Sequence, residues 1–227
     1  MYTLYVANKN YSSWSLRPWV LMRVLGIEFD EQVRPFNDGP GLTFAGVSPS
    51  GRFPCLIDGD TVVWDSLAIT EYLAESHSQV WPEDRAARAF ARSAAAEMHS
   101  GFPNLRNICG MNVGLRIELT SIPAGLAQDI ARIDALWSAG LSRFGGPFLA
   151  GARFTAVDAF FTAVAFRVQT YNLQLSEPAT AYARRLLELP AMQDWYAAAL
   201  RESWRRTAYE QEALAAGRIV ADYRQTA

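Results

Sequence analysis

The chain changes character near Trp81-Pro82-Glu83-Asp84, and this change constrains its fold more than any other feature of the sequence. Before it, short stretches with strand character alternate with helical stretches; after it, long alanine-rich helical patterns follow one another. Such a division reads as α/β plus all-α, with one unit over residues 1–80 and a helical unit over residues 85–227. With 227 residues the chain is long enough to bury roughly 70% of the surface its unfolded form exposes, so a core needs no covalent staple.

In the first half, residues 2–7 predict a strand, residues 16–25 a helix ended by Gly26, and residues 27–34 a second strand, which is a βαβ start. Residues 53–57 and 62–64 flank Asp58-Gly59-Asp60, a tight-turn signal for a hairpin, and residues 66–75 read as a helix. In the second half, helices are expected over 85–98 or beyond, 125–144, 156–171, 178–187 and 192–201. Thr155-Ala156-Val157-Asp158 has the pattern of a capping box with aspartate in place of glutamate, so Asp158 is assigned to folding. Trp137, Phe160, Phe161, Phe166 and Trp195 fall in helical patterns and read as core.

A net charge of -2 argues against a nucleic-acid footprint, and Trp204 among Arg201, Arg205 and Arg206 makes only a small basic-aromatic cluster. Cys55 and Cys109 form no CxxC pair, and the chain has two histidines, which argues against a structural zinc site. Both thiols read as buried and free, which fits a cytoplasmic location. No export signal is recognisable, and no segment approaches the roughly 20 apolar residues that span a bilayer, so no membrane partner is expected.

The segment Asn10-Tyr11-Ser12-Ser13-Trp14-Ser15-Leu16-Arg17-Pro18-Trp19 carries the strongest chemical signal. A strand runs into a hydroxyl-rich turn that opens a helix, where unpaired N–H groups and the positive helix end can hold an anion or lower a thiol pKa. Serine hydroxyls there can donate to such a group or cap the helix, and the two roles can coexist. Glu97, His99 and Arg106 form a second polar group, but Glu97 and His99 are two positions apart and do not share a helix face, which argues against a metal pair.

Taken in order, these pieces resemble the glutathione transferase superfamily. Ser12-Ser13-Trp14-Ser15-Leu16-Arg17 is similar to the Ser-Ser-Cys-x-Trp-Arg segment of its zeta class, with Trp14 in place of the cysteine and Leu16 in place of the tryptophan. Phe53-Pro54-Cys55-Leu56 resembles the Val-Pro-x-Leu segment with its cis-proline, and Asp65-Ser66 resembles the Glu/Asp-Ser pair that binds glutathione. The resemblance covers nearly the whole chain. It implies a thioredoxin-like βαβ-α-ββα domain followed by an all-helical domain, glutathione as co-substrate, no metal, and a homodimer.

By the same resemblance, Ser12 is the first choice for the hydroxyl that donates to the glutathione thiolate, with Ser13 and Ser15 as alternatives. Arg52, Phe53, Pro54, Asp65 and Ser66 are expected at the glutathione, and Tyr11, Trp14, His99 and Arg106 at a small hydrophobic electrophile between the domains. Arg17 lies one turn into its helix, poorly placed for the macrodipole, so a carboxylate partner or a packing role explains it better than helix propensity; a structural ion pair is favoured and a glutathione contact the alternative. The activity implied is thiol transfer to the electrophile. The alternatives are a glutathione-dependent isomerase or peroxidase, or a transferase-like binding or structural protein without the chemistry.

Overall fold

The computed structural model describes residues 1–36, 44 and 46–225. The first half is a four-stranded sheet in the order β2-β1-β3-β4, built from β1 (Tyr2–Val6), β2 (Phe29–Val33), β3 (Cys55–Asp58) and β4 (Thr61–Trp64). Strand β2 runs parallel to β1, while β3 and β4 are antiparallel to their neighbours. The parallel pair needs a crossover, and α1 (Ser13–Leu25) provides it. Gly26 ends this helix at φ 68°, a left-handed conformation that glycine adopts without steric cost, and its N–H closes on Met22 O. The β3–β4 loop is two residues long, with Gly59 at positive φ in its first position. Helix α2 (Ser66–Ser76) follows. The second helix of the expected βαβ-α-ββα order has no counterpart at residues 44 and 46–50, which are turns and bends; residues 37–43 and 45 lie outside the described residues.

The second half contains α3 (Arg85–Ser100), α4 (Pro103–Ile108), α5 (Ala124–Phe144), α6 (Ala156–Tyr171), α7 (Glu177–Leu187), α8 (Pro190–Arg201) and α9 (Thr207–Ala216). Helix α6 is nearly wholly buried, as the central helix of a bundle must be, and carries Asp158 and Arg167 among its apolar residues. The helical half also carries an antiparallel ribbon of β5 (Leu115–Leu119) and β6 (Gly217–Asp222), which the sequence pattern does not announce. No helix among the described residues is long and apolar enough to cross a membrane.

One hydrophobic core runs through both halves. Leu4 and Val6 of β1, Leu16 and Val20 of α1, and Phe160 and Val164 of α6 belong to the same cluster and are at most 1% exposed. Burial of each such side chain contributes about 1.5–3 kcal/mol, so the helical half is fused to the sheet through α1. Trp137 and Trp195 are fully buried, as their helical pattern predicts.

The start of α6 is held by Asp158, whose carboxylate accepts Thr155 N–H at 2.9 Å, Leu149 N–H at 3.0 Å and the Tyr182 hydroxyl at 2.8 Å. Burial nevertheless pushes the Asp158 carboxyl up to about 6, against the lowering effect of those bonds. The folded chain therefore binds this proton more tightly than the unfolded chain, whose aspartates titrate near ~3.9. The stability this group contributes is full below the unfolded value and is lost as pH rises through about 6. Urea unfolding between pH 4 and pH 7 should show the wild type losing about 2 kcal/mol relative to Asp158→Asn as pH rises. Parallel pH profiles for the two proteins would contradict this assignment.

Candidate active site

The site is built where β1 ends and α1 begins. Asn8 O accepts the N–H groups of Tyr11 at 3.2 Å and Ser12 at 2.9 Å, which folds residues 8–12 into a tight turn. Helix α1 starts at Ser13, three residues earlier than the pattern predicts, with Ser12 as N-cap. Pro18 thus lies inside the helix rather than in its first turn, where proline is better tolerated.

This turn is gripped by the helical half. Glu202, just beyond α8, accepts Lys9 N–H at 2.7 Å and Asn10 N–H at 3.2 Å through its two carboxylate oxygens. Asn10 donates its amide to Ala199 O at 2.7 Å, and its side-chain oxygen accepts Gly114 N–H at 3.3 Å. The Trp195 indole N–H donates to Lys9 O at 2.9 Å. Burial raises the Glu202 carboxyl above the usual range, while the two N–H bonds and Lys9 oppose that rise.

Ser12 Oγ accepts Ser15 N–H at 3.3 Å and donates to Ser15 Oγ at 2.7 Å; Ser15 Oγ in turn accepts Ala7 N–H at 3.1 Å. Ser12 and Ser13 both border a cavity of about 430 Å³, whereas Ser15 is fully buried and does not. Tyr11 borders it too, but its hydroxyl donates to Glu210 at 2.6 Å, and burial together with Glu210 raises its pKa.

A second hollow of about 350 Å³ is bordered by Arg52, Phe53, Pro54, Asp65 and Ser66. Trp14, Arg52 and Phe53 border both spaces, which makes them adjoining subsites. The Phe53–Pro54 peptide is cis, as the resemblance implies. Asp65 caps α2 by accepting Leu67 N–H at 2.8 Å and is held at φ 76°, a strained conformation for a residue with a Cβ.

Arg17 corrects its favoured expectation. It is 1% exposed yet forms no ion pair among the described residues. Its Nη1 donates to Ser66 Oγ at 3.2 Å and lies 3.4 Å from His99 Nδ1, while its guanidinium stacks 4.2 Å from the Trp14 ring and 4.8 Å from the Phe160 ring. Burial, reinforced by Arg106 and Arg167, holds its pKa well below the usual value. Arg106 stacks on Trp14 as well, at 4.8 Å, and borders the larger cavity.

His99 does not border that cavity. It packs edge-on to Trp14 at 5.2 Å and sits 3.5 Å from Asp65 Oδ2, with its pKa lowered by burial against the pull of Asp65. Glu97 is remote from it, paired with Arg132 at 2.6 Å on the surface. Cys55 and Cys109 are buried and free; burial raises both thiols, Cys109 to about 12, so neither is a ready nucleophile. The sequence reading did not single out Asn10, Glu202, Glu210 or Arg167. Asn10 beside a predicted turn was the one local signal, because the partners of Glu202 lie 192 and 193 positions away.

The chain thus joins a thioredoxin-like sheet to a helical bundle, with a capped serine turn beside a hollow bordered by the cis-Pro54. Residues 11–76 match the family described as "Glutathione S-transferase, N-terminal domain", and residues 118–198 match "Glutathione S-transferase, C-terminal domain". The chain belongs to the glutathione transferase superfamily.

Among curated relatives it is 31% identical to glutathione S-transferase 1 of Dianthus caryophyllus over 48% of this chain and 50% of that protein, so it spans half of that relative's length. It is 24% identical to a probable maleylacetoacetate isomerase of Caenorhabditis elegans, over 76% of this chain and 81% of that one. Among solved structures, a glutathione transferase homolog from Burkholderia gl BGR1 with bound glutathione superimposes with a TM-score of 0.67 at 20% identity, covering 87% of this chain and 97% of the other.

The clamp on the turn is directly measurable. Replacing Glu202 by Gln sets an amide N–H group against a backbone N–H, and should cost about 1–3 kcal/mol of stability. Hydrogen exchange at the Lys9 and Asn10 amides should accelerate by more than exchange in β1. Unchanged exchange at both amides would rule out the clamp.

Proposed function

We propose that the chain is a glutathione transferase that holds the glutathione thiol as a thiolate for attack on a small electrophile. The observation that carries this reading is Ser12, capping α1 on the wall of the larger cavity. Its lone pair accepts Ser15 N–H, which polarises the hydroxyl, and turning its proton from Ser15 Oγ to the cavity supplies a donor to sulfur. A donor at the positive end of a helix favours thiolate over thiol. Ser13 borders the same cavity and is the alternative donor.

Glutathione itself is assigned to the smaller hollow and its junction with the cavity. Ser66, backed by the Arg17 guanidinium, receives the glutamyl carboxylate, and Asp65 faces the ammonium. Backbone groups of Phe53 beside Pro54 receive the peptide-like middle, and Arg52 the glycyl carboxylate. Trp14 divides the two subsites, Tyr11 and Arg106 border the electrophile, and His99 acts through Arg17 and Asp65 from behind Trp14. A homodimer and a cytoplasmic location accompany this reading; Val62 and Trp64, exposed on edge strand β4, offer apolar surface for the former. Isomerisation through a reversible thiolate adduct is a second reading of the same site, supported by the name of the Caenorhabditis elegans relative.

Ser12→Ala should lower turnover by about tenfold to a hundredfold at saturating glutathione, since a donor contact strengthened in the thiolate is worth roughly 1.4–3 kcal/mol. Turnover unchanged in Ser12→Ala but lost in Ser13→Ala would transfer the role to Ser13. Ser66→Ala should chiefly weaken glutathione binding, by about tenfold in calorimetric Kd; unchanged affinity would remove Ser66 from the ligand site.

A further inference from the structure

The larger cavity is poorly built for an apolar electrophile. Among the described residues four arginines border it, namely Arg52, Arg106, Arg167 and Arg206, and the carboxylate side chain on its lining is Glu212, exposed at the rim. With Arg52 assigned to glutathione and Arg206 resting against the Phe36 and Tyr209 rings, two cations remain without a task.

Arg167 is 4% exposed. Its Nε donates to Cys109 O at 2.8 Å and its Nη1 to Ala163 O at 3.4 Å, which fixes the plane of the guanidinium. Its Nη2 has no hydrogen-bond partner among the described residues, and no carboxylate pairs with it there. Arg106 is held in the same manner: Nε donates to Gly101 O at 2.8 Å, Nη2 donates to Met98 O, and Nη1 is unpartnered among the described residues. Carbonyl groups orient these two cations; Asp129, which accepts Leu105 N–H, offsets part of the Arg106 charge from a distance, and no carboxylate forms an ion pair with either among the described residues. A buried cation is costly unless an anion accompanies it, and here Arg106, Arg167 and the buried Arg17 stand close enough to repel one another. Burial and that repulsion lower Arg167 only to about 10, so it stays charged at neutral pH.

We propose that the second substrate is an anion: a small electrophile carrying a carboxylate, received by Arg106 and Arg167 beside the glutathione sulfur. The inference rests on the glutathione reading above and narrows its substrate class. Two guanidiniums with one free N–H edge each suit a planar carboxylate, whose charge-assisted bonds are about twice as strong as neutral ones. The same pair disfavours the neutral hydrophobic electrophiles that the superfamily resemblance implies, because such a ligand leaves Arg167 buried and unpaired and Arg106 half-buried without an ion pair.

The test compares two ligands that differ by one charge, S-(4-carboxy-2-nitrophenyl)glutathione and its methyl ester, by calorimetry on the full chain. The acid should bind at least about tenfold more tightly than the ester at low salt, with the gap shrinking as salt rises. Arg167→Met should abolish the gap while leaving the affinity for glutathione alone unchanged. Equal or weaker binding of the acid by the wild type overturns the inference, whether or not the Arg167 variant folds. If glutathione and both conjugates fail to bind, the glutathione reading falls separately. The subsite is then tested with 4-chloro-3-nitrobenzoate against its methyl ester: about tenfold preference for the acid supports it, and no preference overturns it.

Discussion

The carboxylate of Glu202 is the interaction on which the site depends. Residues 8–12 must leave the sheet, reverse, and present Ser12 at the end of α1, which takes Lys9 N–H and Asn10 N–H out of the strand ladder. Buried N–H groups without partners cost about 1–3 kcal/mol each. Glu202 satisfies both with one side chain, and Asn10 and Trp195 tie the same turn to the helical half. The serine is therefore positioned by residues of the helical half as much as by the strand that precedes it. The shared core through α1 and α6 packs the two halves together and keeps Glu202 beside the turn.

Charge is distributed around that turn in an ordered way. Trp14 is flanked by the guanidiniums of Arg17 and Arg106 at 4.2 and 4.8 Å, and its ring face stabilises both electrostatically. Behind it, Arg17 reaches Ser66, and His99 links Arg17 to Asp65. Burial keeps His99 from protonating at neutral pH, so it does not add a further positive charge. This concentration of positive charge favours an anionic ligand at the turn.

Local signals were legible in the sequence and distant ones were not. Helix α6 lies within its predicted bounds because Thr155 and Asp158 form the cap on their own. The hairpin at Gly59 and the C-cap at Gly26 were readable for the same reason. Helix α1 begins at Ser13 rather than Leu16 although Ser13-Trp14-Ser15 has weak helix propensity, because the Ser12 cap and tertiary packing override it. Strands β5 and β6 pair residues about a hundred positions apart, and no local pattern reports such a partner. The expected ion pair of Arg17 failed because aromatic faces and a hydroxyl, rather than a carboxylate, surround it. Ser12, Ser13, Pro54 and Ser66 were singled out through the family resemblance of their segments and border the two spaces, while Arg167 was hidden inside the core pattern of α6.

The central claim is that the Ser12 turn stabilises thiolate, and the ultraviolet absorbance of the bound glutathione thiolate, followed against pH, measures this without any electrophile. The account predicts a bound-thiol pKa at least about one unit below that of free glutathione, and a return toward the free value in Ser12→Ala. Saturable binding with an unshifted thiol pKa in the wild type would contradict it.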